Sequence, residues 1–272
     1  MSEPTIYVYG VAPVDSVDQL PRSVPGLDPR FPVEVVRSGA LAALVSQVEH
    51  DELERSVADA ERGDLLRLEP LVRAHENVLS LAQGVGVVLP FRFGIVVRGH
   101  AEVLDLVEKR GADLAAQLER LRDVREWGVK ALIATEPLEA SVIAGAPHLV
   151  ELSNSASDGT GHGFFARKRL EREVEALMRE EAAELATTVH TRVATYARQS
   201  ALNPPQPREL SGYRDEMILN GVYLVERRAE AALDSAVRAL RSEFAERGLR
   251  LELTGPWPPF NFVDEAMATD AR

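Results

Sequence analysis

The sequence predicts an α+β protein of two domains, and three observations carry that reading. The chain has 272 residues, and roughly 150 per domain is usual. Its first half mixes strand-like runs with two helices. From Trp127 onward the order is strand, long helix, one or two strands, helix, strand, the βαββαβ pattern of a ferredoxin-like domain. The predicted organisation is an N-terminal α+β domain over 1–125, a ferredoxin-like domain with a long helix over 126–263, and a flexible tail over 264–272.

Thr5 to Val11 (TIYVYGV) is rich in β-branched and aromatic residues and reads as a strand. Four prolines between residues 12 and 31 mark a connecting loop. Pro32–Arg37 and Leu41–Val48 form a hairpin about Ser38-Gly39, since glycine supplies the positive φ of a tight turn. Asp51–Gly63 reads as a short polar helix. The next helix, opened by Asp64 and closed by Gly84, carries apolar residues at helical period from Leu65 to Ala82. Gly86–Val97 is strand-like, but Pro90 lacks an amide hydrogen, so a kink or an edge is expected there. His100 to about Glu126 predicts one amphipathic helix with Gly111 weakening its middle.

Trp127–Ala134 (WGVKALIA) reads as a strand that opens the second unit. Pro137–Gly163 is expected to have little order and to end in a flexible link at 153–163. Phe164 to about Ala201 is the longest helical signal, with opposite charges four apart such as Arg169 and Glu173. Asn203-Pro204-Pro205 should stop it. Met217–Val225 reads as a strand with a bulge or close backbone approach at Asn220-Gly221. Ala229–Phe244 is a helix closed by Gly248. Leu249, Leu251 and Leu253 then alternate with polar residues as a half-covered strand.

Composition narrows the function classes. The chain is 45% hydrophobic and 27% charged, ordinary for a globular protein. It has no cysteine, which removes disulfides, thiolate metal sites and cysteine nucleophiles together. Thirty-one basic against 43 acidic side chains give a net charge of −12. Such a surface repels phosphate backbones and anionic lipid, so neither nucleic acid nor membrane is an expected partner. No apolar run approaches the roughly 18 residues of a membrane span. Met1-Ser2-Glu3-Pro4 leads into a strand with no signal-like core, and a cytoplasmic protein is expected.

Signs of catalysis are sparse. Gly84-x-Gly86 lacks the third glycine of a dinucleotide turn and precedes a strand, and Gly159, Gly161 and Gly163 are followed by no lysine-serine pair. The six histidines are scattered; His148 and Glu151 are close enough in sequence to share a metal only if that segment is helical. No serine lies in a nucleophile elbow. Catalytic, cofactor-binding and metal-binding residues are therefore assigned to none, and an enzyme is not expected.

Two segments stand out. Leu89-Pro90-Phe91-Arg92-Phe93-Gly94 sets an arginine among apolar neighbours, where a desolvated guanidinium needs a partner. A structural ion pair from Arg92 to Glu69 or Glu76 is the first reading, with His75 a further candidate. An anion or small-molecule site lined by Arg92 and His75 is the alternative. Pro256-Trp257-Pro258-Pro259-Phe260-Asn261-Phe262 is stiff and aromatic. It either presents Trp257, Phe260 and Phe262 to a partner at little entropic cost or folds back to staple the C-terminus to its own domain.

These segments resemble the gas vesicle protein F/L family. Tyr7-Val8-Tyr9-Gly10-Val11, the His75-x-x-Val78 helix, Leu89–Gly94, Asp215–Val225 and Leu253–Val263 fit its pattern in order across nearly the whole chain. The resemblance implies two α+β domains, the second a modified ferredoxin-like fold. It implies an accessory role in gas vesicle assembly, with the small hydrophobic shell protein and other accessory proteins as partners, self-association allowed, no established catalysis, and a location at the gas vesicle or in the cytoplasm. It supplies no active-site residues.

Overall fold

A computed structural model describes residues 5–156, 161–208 and 212–263, with the backbone alone for 153–156 and 161–166. The tail expected at 264–272 and residues 157–160 of the expected link lie outside the described residues. The chain divides into two compact units. One holds the residues up to Glu126 together with the segment from Pro256, and the other holds Trp127–Gly255.

The first unit is built on β1 (Thr5–Pro13), a short helix α1 (Val14–Val17), β2 (Glu34–Ser38) and β3 (Leu41–Gln47). Two further strands, β4 (Leu89–Pro90) and β5 (Val96–Arg98), complete its sheet. The order is β2-β3-β1-β4, with β5 also on β1, and the pairings are antiparallel. The β2–β3 hairpin closes on Gly39 at φ 59° with Ser38 opposite Leu41, as the glycine predicts. β1 is central and buried on both faces, which explains its unbroken apolar run. Tyr7, Tyr9 and Leu44 pack with Val78, Leu79 and Ala82 of a long helix.

That helix is α3 (Leu68–Val85), preceded by α2 (His50–Glu61). The expected helix from His100 is two, α4 (Gly99–Lys109) and α5 (Gly111–Arg120), broken where Gly111 weakens the run. The strand-like run 86–97 is also interrupted. Pro90 ends β4, and the chain returns to pair with the other end of β1 through β5.

The second unit runs through β6 (Val124–Ile133), α6 (Thr135–Gly145), α7 (Pro147–Ala156) and α8 (Gly161–Ala194). It continues through β7 (Ala197–Leu202), β8 (Glu216–Glu226), α9 (Glu230–Glu243) and β9 (Leu249–Trp257). Its sheet order is β7-β8-β6-β9. Val129, Ala131 and Ile133 of β6, Leu185, Val189 and Val193 of α8, and Leu233, Val237 and Leu240 of α9 share its core.

Two expectations for this unit need correction. Residues 137–156 are helical, not of low order. Pro137 lies in the first turn of α6 and Pro147 begins α7, positions where a missing amide hydrogen costs no helix bond. The long helix ends at Ala194, and 197–202 is a strand paired antiparallel with β8. Ala-Arg-Gln-Ser-Ala-Leu has good helix propensity, so pairing with a buried strand has overridden local preference. The bulge lies on β7 between Ala197 and Gln199; Gly221 is instead a close approach, since a Cβ there would sit 2.5 Å from the Tyr223 hydroxyl oxygen.

The C-terminal segment also departs from expectation. Residues 256–263, placed by sequence in the second domain, pack within the first unit. Phe262 and the flanking Pro258 and Pro259 are buried there, and Phe260 is partly buried against the Tyr7–Tyr9 core. Burial of the two phenylalanines supplies the driving force, worth roughly 1.5–3 kcal/mol for a fully covered ring.

Gly10 tests the packing of β1. A Cβ at this position would lie 2.4 Å from the Leu89 carbonyl oxygen and 3.2 Å from Leu79 Cδ2. Gly10→Ala is expected to cost about 1–3 kcal/mol, read as a lower urea midpoint with unchanged slope.

Candidate functional site

The chemistry of a site needs polar groups brought together, and in the first unit they meet at His75. β1 alternates, so Tyr7 and Tyr9 project to the same face, where α3 delivers His75 from a buried stripe with Val78, Leu79 and Ala82. The turn between β4 and β5 adds Phe93 and Gly94, and the C-terminal segment adds Phe260. His75 is 1% exposed. Its ring centroid lies 5.7 Å from Tyr7 and from Tyr9, 5.8 Å from Phe93 and 6.0 Å from Phe260.

The hydrogen bonds assign the protons. The Gly94 amide donates to the Tyr7 hydroxyl oxygen at 3.1 Å, and that hydroxyl lies 2.8 Å from His75 Nδ1. Nδ1 is the acceptor within reach of the buried Tyr7 proton among the described residues, so the assignment that satisfies both groups has Tyr7 donating to Nδ1 and the imidazole hydrogen on Nε2. Nε2 has no hydrogen bond of good geometry among the described residues, although the Phe91 carbonyl gives it partial support. Burial pushes the His75 pKa down to about 4, so the ring is neutral near pH 7. Burial likewise raises Tyr7 and Tyr9. Tyr9 accepts the Leu27 amide at 2.7 Å and lies 2.8 Å from Ser46 Oγ, which ties the long connecting loop to β3. A neutral imidazole and two protonated phenols in an apolar setting make a structural polar network, with no charged group among them.

The C-terminal segment is held by three polar clamps. Gln83 Nε2 donates to the Trp257 carbonyl at 2.8 Å, and Arg120 donates to the Phe262 carbonyl. Glu126, 4% exposed, accepts from the Asn261 amide at 2.9 Å and from Asn261 Nδ2 at 2.6 Å. Burial pushes the Glu126 carboxyl up to about 7, against the two Asn261 bonds, which favour its charged form.

The structure places the residues read from sequence as follows. Arg92 is exposed, not desolvated, and Glu69 pairs with Arg73 at 2.5 Å. Glu76 is half-buried on α3. The hydrophobic neighbours of Arg92 point inward from a turn while the guanidinium does not, because Phe91 and Phe93 are anchored in the core. Two clefts of this unit are lined by other residues, one by Leu27, Leu53, Leu66 and Leu71 and one by Thr5, Val97, Leu106 and Arg110. Phe260 and Phe262 are drawn inward, while Trp257 is 40% exposed. His148 and Glu151 do share a helix, α7, and His148 Nε2 lies 3.6 Å from Glu173 of α8. Sequence reasoning missed Tyr7, Tyr9, Gln83, Arg120, Glu126 and Asn261 as a connected set. The paired tyrosines in β1 were the one available signal, since a buried phenol needs a partner.

A family model for the gas vesicle synthesis protein GvpL/GvpF matches residues 5–264. The chain belongs to this family. It is 31% identical over 258 residues to gas vesicle protein L of Streptomyces sp. strain CB03234, covering 94% of this chain and 92% of the relative. It is 33% identical over 261 residues to gas vesicle protein F of the same strain, covering 95% and 99%. In three dimensions it is similar to the crystal structure of GvpF from Anabaena sp. PCC7120, with a TM-score of 0.72 at 20% identity over 96% of this chain and 98% of that one. No described helix of this GvpL/GvpF member is long and apolar enough to cross a membrane.

Tyr7→Phe removes the donor to His75 Nδ1 and the acceptor of the Gly94 amide; it should cost about 1–3 kcal/mol, measured by urea unfolding at pH 7. Glu126 has a folded pKa above its ordinary value, so the folded state holds the proton more tightly than the unfolded chain. Its contribution therefore falls as pH rises from 4.5 towards about 7 and stays low above that. Glu126→Gln should flatten this part of the stability–pH curve, a change on the order of 3 kcal/mol between pH 4.5 and 8. His75 runs the other way, losing stability as pH falls from 6.5 to about 4.

Proposed function

We propose that this GvpL/GvpF member works in gas vesicle assembly as a binding protein, covering the small hydrophobic shell protein and contacting other accessory proteins until the wall takes the shell protein up. Exposed apolar faces and strand edges template aggregation, so a shell subunit needs a soluble cover before assembly. Membership of the family of gas vesicle synthesis proteins is the observation that carries this reading. The site chemistry supports it: the network around His75 holds together distant segments and is buried away from solvent. On this reading the protein is not an enzyme and needs no cofactor, and it acts in the cytoplasm and at the vesicle. The second unit is read as a modified ferredoxin-like fold, in keeping with its β7-β8-β6-β9 order.

Of the three aromatic residues in the C-terminal segment, the proposed contact is Trp257, with Phe260 and Phe262 as anchors that keep it in place. Co-purification with tagged shell protein tests this. Wild-type chain should be captured, Trp257→Ala should lower capture at least fivefold without changing the thermal midpoint, and Phe260→Ala should lower both. Absence of capture by the wild type would remove the shell-binding function, and full capture by Trp257→Ala would remove the contact.

A further inference from the structure

The two most exposed large apolar residues of the described chain are neighbours far in sequence from the C-terminal segment. Leu65 and Leu66, 59% and 81% exposed, lie in the link between α2 and α3. Burying two leucines is favourable, so leaving them in water between α2 and α3 forgoes much of that gain. Leu66 lines a cleft of about 840 Å³ whose floor is apolar, with Leu53 of α2, Leu71 of α3, Leu27 and Val48. A groove between two helices with an apolar floor is the seat that an amphipathic helix fits. An exposed leucine at its lip extends the contact.

Charge selects the occupant. The cleft lining itself is balanced, with Arg30, Arg55 and Arg67 against Asp28, Glu49 and Glu52. Arg30 is bonded to Asp28 and lies 3.0 Å from Glu49 and 3.8 Å from Glu52. Arg55 Nε donates to the Asp51 carbonyl, and Arg67 lies 3.7 Å from Asp59. Around this neutral lining the field is acidic. From Glu49 to Glu69 the chain carries eight acidic side chains against three arginines, with Arg30 and Arg73 from outside that stretch pairing three of the acids, on a protein of net charge −12. Such a surface attracts cations towards the groove and repels anionic segments.

We propose that the α2–α3 cleft is a docking site for a basic amphipathic helix of a partner protein. Its apolar face would lie on Leu53, Leu66 and Leu71, and its lysines or arginines would face the carboxylates of α2 and of the α2–α3 link. This site is separate from the Trp257 contact and does not depend on shell-protein binding.

The test uses the full chain and three synthetic peptides. One has leucines at helical period and lysines on the other face, one replaces lysine by glutamate, and one keeps the lysine composition but scrambles the order. The basic amphipathic peptide should bind at least tenfold tighter than either of the others by fluorescence anisotropy. Leu65→Ser/Leu66→Ser, both at exposed positions, should lower that affinity at least fivefold with an unchanged circular dichroism spectrum, while Trp257→Ser should leave it unchanged. Equal binding of the scrambled peptide would mean charge attraction alone and overturn the site. So would equal binding of the glutamate peptide, or indifference to the double leucine variant. A concentration-dependent dimer dispersed by the leucine variant would assign the cleft to a second copy of the chain and overturn it too.

Discussion

The first unit depends on keeping one neutral imidazole in a dry interior. His75 is surrounded by four aromatic rings and takes a hydrogen bond from Tyr7, whose oxygen is in turn held by the Gly94 amide. Charging that ring in place is costly because burial strips its hydration, which holds its pKa down. Every segment around it therefore has to be present and in register. β1 supplies the phenols, α3 the imidazole, the turn after Pro90 the glycine and one phenyl ring, and the C-terminal segment the other. The four motifs that carry the family resemblance in the first and last parts of the sequence converge on this one point.

This has a consequence for how the chain is organised. The first unit is discontinuous: its last piece is supplied only after the whole second unit has been threaded through the sequence. Three clamps hold that piece, and the one that makes two hydrogen bonds to Asn261 uses a buried carboxyl, Glu126, at the point where the chain leaves the first unit. The same chain position thus ends one unit's main segment and grips the segment that returns to it. A buried carboxyl that titrates near neutrality makes this closure sensitive to pH in a way that the apolar anchors are not. A second tyrosine–histidine pair, Tyr223 with His190 Nδ1 at 3.0 Å, lies in the second unit, with the Tyr223 ring over Gly221.

Much of the fold was legible because periodicity reports burial. β1, the β2–β3 hairpin, α3, β8, α9 and β9 follow from alternation, helical period and glycine turns. What was not legible arose from tertiary context. The strand β7 has the composition of a helix and becomes a strand because β8 offers an edge. The helices α6 and α7 were obscured by prolines that turn out to start them. At the site, Phe93 and Phe260 were flagged as members of unusual segments, but sequence gave no way to see that both reach His75, 18 and 185 residues away from it respectively. Arg92 drew attention as the charged member of an apolar run, and it is the neighbouring Phe91 and Phe93 that enter the core. Glu126 looked like the ordinary end of a helix and is instead the buried anchor of the C-terminus.

For a protein that acts through its surface, a rigid frame of this kind serves to hold exposed side chains such as Trp257 in fixed positions, which lowers the entropy lost on binding. The central claim is that the segment from Pro256 completes the first unit. Hydrogen exchange on a chain ending at Gly255 tests it most directly. The amides of β1 and α3 around Tyr7, Tyr9 and His75 should exchange at least tenfold faster than in the full chain, while those of α8 from Leu185 to Val193 keep their protection. Unchanged protection at β1 and α3 in the shortened chain would contradict the account.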